Sequence, residues 1–97
     1  MPLFTITARD KPDSLDLRMD TRPAHVEYLQ GRGERLLVAG PTLDENGDPD
    51  GSLVVIEAQD LEEARAFAGA DPYAKAGLFE RVEVRAWRAP LGVWSRV

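Results

Sequence analysis

The segment Leu53-Val54-Val55-Ile56 is apolar at every position. Side chains of a strand point alternately to the two faces of a sheet, so Leu53 and Val55 lie on one side and Val54 and Ile56 on the other. Leu36-Leu37-Val38-Ala39 repeats the pattern, with Leu36 and Val38 opposite Leu37 and Ala39. Strands that are apolar on both sides are covered on both sides. The rest of the chain has to supply that cover, or a partner does.

Leu3 to Ala8 reads as a first strand, with Phe4, Ile6 and Ala8 on one face. Asp10-Lys11-Pro12-Asp13 is a turn. Ser14 to Gln30 reads as helix, with Leu15, Met19, Val26 and Leu29 on one stripe at a 3.6-residue period. Pro23 disturbs that reading, because inside a helix it removes a hydrogen bond to the Met19 carbonyl. Either the helix kinks there, or a second helix starts near Asp20 with Pro23 in its first turn. Leu36 to Ala39 and Ser52 to Ala58 are the second and third strands, joined by the turn-rich stretch from Pro41 to Gly51. Asp60 caps a second helix and Glu63 completes a capping box. Its apolar stripe is Leu61, Ala64, Phe67 and Ala68, and Gly69 ends it. Asp71-Pro72 opens a short helical turn that Gly77 closes. Arg81 to Arg88 alternates, with Val82, Val84 and Ala86 facing inward, and is the fourth strand.

The order β-α-β-β-α-β predicts an α+β, ferredoxin-like fold, with both helices on one face of an antiparallel sheet. At 97 residues the chain is one domain's worth, residues 1–97, and has no helix left for the other face. A second copy of the chain is the expected cover, sheet against sheet, in a homodimer.

The charge balance bears on partners. Lys and Arg total 12 against 17 Asp and Glu, a net charge of -5. Nucleic acid is therefore not an expected partner, since phosphate binding needs a cationic surface. With no cysteine there is no disulfide, thiolate ligand or cysteine nucleophile. One histidine and no cysteine make no usual zinc site, so no metal is expected. No Gly-rich phosphate loop or serine elbow is present, and no cofactor is expected. The acidic loop from Asp44 to Asp50 lacks the ligand spacing of a calcium loop. No apolar run is long enough to span a bilayer, and Met1-Pro2-Leu3-Phe4-Thr5 lacks the features of a signal peptide. The expectation is a soluble, cytoplasmic protein with no membrane partner.

The candidate chemistry centres on His25, the chain's one side chain that ordinarily titrates near neutral pH. Arg18, Arg22 and His25 are spaced i, i+4 and i+7, which on an unbroken helix puts them on one face, where a small anion could bind. Alternatively the arginines pair with surface carboxylates and His25 packs half-buried. Asp71 before Pro72 is a good helix cap. It could also orient the His25 ring and stabilise its cation, and the two roles are compatible. Gly40-Pro41 either lets a backbone approach closely or is an ordinary strand exit. Tyr73 offers a hydroxyl, or a core ring with a wet tip. Trp87 and Trp94, flanking Pro90-Leu91-Gly92, read as packing or dimer contacts.

Several segments, in order, carry a resemblance. They are Asp13-Ser14-Leu15-Asp16-Leu17-Arg18, Arg22-Pro23-Ala24-His25, Leu37-Val38-Ala39-Gly40-Pro41, Gly51-Ser52, and Asp71-Pro72-Tyr73-Ala74-Lys75-Ala76-Gly77-Leu78-Phe79. Together they resemble the YciI-like (YCII-related) family over nearly the whole chain. The resemblance implies a ferredoxin-like subunit of a dimeric α+β barrel. It implies an active site around a His–Asp pair, here His25 and Asp71, with Arg18, Arg22, Gly40, Pro41, Ser52 and Tyr73 lining the same region. One branch of the family dehydrochlorinates a chlorinated hydroxyhydroquinone. The expectation is a small cofactor-independent enzyme using general acid–base chemistry, elimination or isomerisation, on a small acidic substrate. The competing reading is a non-catalytic module that binds a small anion or supports a partner.

Overall fold

The computed structural model describes residues 1–95. Strand β1, Leu3–Asp10, leads into helix α1, Leu15–Gln30. A 3-10 turn, Gly33–Arg35, connects α1 to β2, Leu36–Leu43, and β3, Pro49–Glu57, follows. Helices α2, Leu61–Gly69, and α3, Pro72–Lys75, precede β4, Phe79–Trp87. The strands form an antiparallel sheet in the order β2-β3-β1-β4. This is the α+β, ferredoxin-like arrangement that the element order predicts.

Ile6 stands opposite Val54 on one side and Val84 on the other, and Phe4 opposite Ile56. These residues share the face that meets the helices. Phe4, Ile6, Val54 and Ile56 close over Leu29 of α1 and Ala64 and Ala68 of α2 to make the core. Of the expected inward residues of β4 only Val84 packs there, because β4 is an edge strand and Val82 is 42% exposed. Asp60 caps α2 by accepting the Glu63 N–H at 2.8 Å. The return half of the expected capping box is not made, since the Glu63 carboxylate turns to Arg32 and Arg35. Gly69 is the last residue of α2 and Ala70, in right-handed helical conformation, follows it, so the helix ends without a left-handed glycine.

Helix α1 is one helix, with Pro23 inside it on the exposed side. The Met19 carbonyl loses its partner there, but Met19 is itself exposed and water can serve it. The expected apolar stripe is wrong at its start. Leu15 and Met19 are exposed, while Arg18, His25 and Leu29 are the buried residues of α1. Polar side chains hold the inward face because buried carboxylates await them.

In β2 the alternation breaks. The register against β3 shifts between Leu36 and Val38, a β-bulge at Leu37. Leu36 and Ala39 therefore share the helix-side face, and Leu37 and Val38 the other, instead of the strict alternation expected. The bulge is what turns Ala39 and Pro41, rather than Val38, toward α1. Gly51 is required where it stands, since a Cβ there would collide with the Ala8 carbonyl oxygen.

The sheet face away from the helices is only partly covered. Leu3 and Val55 are buried, and the chain after β4, through Ala89 to Trp94, passes beside them. Leu53 is 42% and Trp87 47% exposed on that side, and Val93 and Trp94 are exposed almost throughout.

Candidate active site

Between α1, β2 and β3 lies a cleft of about 360 Å³. Arg18, Arg22, His25, Gly40, Pro41, Ser52 and Tyr73 all line it. One wall is apolar, made by Met19, Val26, Leu29, Leu36 and Ala39. The eighth expected residue, Asp71, stands behind His25.

Three local structures bring these residues together. Because α1 is unbroken, Arg18, Arg22 and His25 keep the helical phase that their spacing requires. Asp71 is the N-cap of α3, where its Oδ1 accepts the Tyr73 N–H at 2.8 Å. Gly77, at φ +77, ends the short helix and returns the chain to β4. Pinned by its cap, the Asp71 carboxylate meets His25 Nδ1, with both oxygens 2.9 Å away. Capping and imidazole contact therefore coexist on one carboxylate. Asp71 is buried, which leaves its remaining acceptor capacity for the imidazole.

An imidazole whose Nδ1–H donates to Asp71 keeps its other nitrogen, Nε2, as the acceptor. No protein group among the described residues bonds Nε2, and His25 borders the cleft. The ring is fixed in orientation as well. It stacks on Tyr73, with centroids 3.9 Å apart and planes at 18°. The Arg18 guanidinium lies 4.6 Å from the centroid of the same Tyr73 ring. Tyr73 is 1% exposed, and its phenol is pushed above the usual tyrosine range by burial, which outweighs the opposing pull of Arg18 and Arg22. It is a ring locked between side chains of α1 more than a wet hydroxyl.

The sequence did not point to Asp10. It appeared as the start of a turn, but it is the last residue of β1 and is buried. Arg18 donates to it in bidentate fashion, Nε to Oδ2 at 2.6 Å and Nη2 to Oδ1 at 2.9 Å. Nη2 also donates to Ser52 Oγ at 2.8 Å. Burial alone would lower the Arg18 pKa, but hydrogen bonding and attraction to Asp10 overcome it and the guanidinium is held above its ordinary value. The available signal was parity. Phe4, Ile6, Ala8 and Asp10 share one side of β1, so a carboxylate stood in line with core positions. Among the described residues, no group of three or more His, Cys, Asp or Glu side chains could hold a metal. No helix among them is long and apolar enough to cross a membrane.

The sequence and the fold have counterparts in known proteins. The chain is 45% identical over 95 residues to the protein YciI of Escherichia coli, covering 89% of this chain and 96% of that one. An uncharacterized protein of Haemophilus influenzae is 33% identical over 93 residues, covering 88% and 95%. The 5-chloro-2-hydroxyhydroquinone dehydrochlorinase TftG of Burkholderia phenoliruptrix, solved with 2,5-dihydroxybenzoquinone, superposes with a TM-score of 0.82 at 37% identity, covering 90% and 94%. An antibiotic biosynthesis monooxygenase, at 15% identity and a TM-score of 0.57, shares the fold alone. The family model of the YCII-related domain matches residues 2–88, which takes in both the helix that carries His25 and the cap that carries Asp71. By that match and by its identity to YciI, the chain belongs to the YCII-related family.

Proposed function

We propose that the chain is a small cofactor-independent enzyme that performs general acid–base catalysis on a small acidic substrate, by elimination or isomerisation. The observation that carries this reading is the buried contact between His25 Nδ1 and both Asp71 oxygens, at the edge of a cleft that also presents arginine. In an elimination, Nε2 of His25 takes a proton from an acidic O–H or C–H of the substrate. The electron pair released forms the new π bond, and the leaving group departs with the pair of its own bond. Asp71 stabilises the imidazolium, which then gives its proton to water. Arg18 or Arg22 holds an anionic oxygen of the substrate, and Gly40, Pro41, Ser52 and Tyr73 shape its seat. A second copy of the chain covers the remaining apolar sheet face. The similarity to a dehydrochlorinase supports the reaction class.

The test is halide release from 5-chloro-2-hydroxyhydroquinone, the substrate named for that relative, and from other halogenated phenols. The wild-type chain is expected to release halide, and His25→Gln to lose about a hundredfold or more in rate. Asp71→Asn, which still caps α3, is expected to lose most activity with little change in Tm. Binding of these compounds without turnover, unchanged in His25→Gln, would leave the non-catalytic module as the better account.

A further inference from the structure

Arg18 and Arg22 lie one turn apart on α1 and border the same cleft, but their surroundings differ. Arg18 is 4% exposed, and its Nε and Nη2 are committed to Asp10 and Ser52. The Asp10 carboxylate, equally buried, cancels its charge. What Arg18 still offers the cleft is a neutralised pair. Arg22 is exposed, and among the described residues it makes no hydrogen bond or ion pair. A guanidinium with no carboxylate of its own is free to take both oxygens of an incoming anion.

We infer that Arg22 supplies the positive charge that holds the anionic oxygen of the ligand, and that Asp10 is the positioning residue that withdraws Arg18 from that task. This deepens the acidic-substrate reading above and rests on it. Arg18, held by Asp10, acts instead as a wall. It fixes one side of Tyr73, and Tyr73 carries the His25 ring. A ligand that suits the cleft has one anionic group for Arg22 and an apolar body for Met19, Val26 and Leu36.

Benzoate has that form and serves as the probe. It is titrated into the full chain, with the side-chain resonances of Arg22 and His25 followed by NMR at several salt concentrations. Arg22→Gln is expected to weaken binding about tenfold and to flatten its salt dependence, while Arg22→Lys keeps the salt dependence but loses part of the affinity, since an ammonium does not grip both oxygens. The double variant Asp10→Asn with Arg18→Gln replaces the buried pair by neutral hydrogen-bonding groups. It is expected to keep the wild-type salt dependence and to lose less affinity than Arg22→Gln, since the pair brings no net charge to the cleft while its loss loosens the wall at Tyr73. A double variant as weak as Arg22→Gln overturns the inference, and so does an Arg22→Gln that binds like wild type. Those results leave the enzymatic reading standing. Loss of catalysis with an intact dependence on Arg22 does the reverse. A wild-type chain that ignores benzoate, with His25 unmoved, overturns the inference, while halide release still decides the enzymatic reading.

Discussion

Two arginine–carboxylate clusters stand at opposite ends of α1. At its start Arg18 meets Asp10, one cation to one carboxylate, with side chains each 5% exposed. Just past its end Arg32 and Arg35 both reach Glu63, two cations to one carboxylate, with Arg32 12%, Arg35 38% and Glu63 30% exposed, so that Arg35 and the carboxylate carry the access to water. Residue types are the same and consequences are not. Charges taken out of water in a matched, bidentate pair are fixed, and removing one partner strands the other. Charges left partly in water keep their solvation and gain little from pairing. The first cluster borders the cleft through Arg18 and Ser52, while the second has no contact with it. The buried, charge-matched pair is the one that stands beside the candidate chemistry.

The largest expected effect breaks the first cluster. Asp10→Ala leaves Arg18 buried beside an empty position. Because the cleft gives some access to water, the loss belongs near the low end for such pairs, about 3 kcal/mol. That is a large share of what a domain of this size has, and it lowers Tm by roughly 15 °C. Thermal melts of Asp10→Ala and of the neutral Asp10→Asn, Arg18→Gln double variant check it. The double variant should recover much of the loss. A single variant as stable as wild type would remove the distinction between the clusters.

Each cluster also has a tyrosine beside it, which sharpens the comparison at high pH. Tyr73 lies against Arg18. Tyr28 stacks on Phe67, whose ring Arg32 covers, and donates to the Phe67 carbonyl at 2.8 Å. Both phenols are held above their ordinary value of 10.0, first by burial in each case. A folded-state pKa raised above the unfolded one means that the folded chain binds more protons. The stability it brings is fully present below pH 10 and is lost as pH rises through the folded values. The tyrosinate absorbance of the Tyr28→Phe variant therefore reports Tyr73 alone, and is expected to appear above pH 10. Ionisation of Tyr73 at an ordinary pH in the folded chain would show its surroundings to be wet.

Much of this organisation is legible in the sequence, and the exceptions have physical causes. Leu53 to Ile56 and the capping residues Asp60 and Asp71 give the strand and helix order, because these signals are local. His25, Asp71 and the two arginines can be named from the residues and the family resemblance. Their convergence in one cleft is tertiary, and so is the pairing of Asp10 with Arg18. A hydrophobic stripe could not reveal that Arg18 and His25 are the inward face of α1, since both become acceptable there only when a carboxylate from another element meets them. The bulge at Leu37 was equally hidden. Nothing in an apolar run marks which residue is extra, yet that one residue decides that Ala39 and Pro41 line the cleft.

The smallest expected effect belongs to the second cluster. Hydrogen bonds from Arg32, then Arg35, hold the Glu63 carboxyl below its ordinary value of 4.5, against a burial effect in the other direction. A depressed pKa means that its stabilisation is present above the unfolded value and is lost as pH falls through the folded one. Glu63→Gln should therefore lower Tm only slightly at neutral pH, and the difference from wild type should shrink in acid. Added salt should shrink it too, because an accessible charge pair is screened. Arg32 is not left stranded by the change, since its Nη2 also donates to the Glu57 carbonyl at 2.7 Å and its guanidinium covers Phe67. Melting curves at neutral and acid pH, each at low and high salt, give the comparison directly. A loss that matched Asp10→Ala and ignored salt would mean that two arginines on one half-exposed glutamate hold the fold as firmly as the buried pair, and that burial is not what separates the two ends of α1.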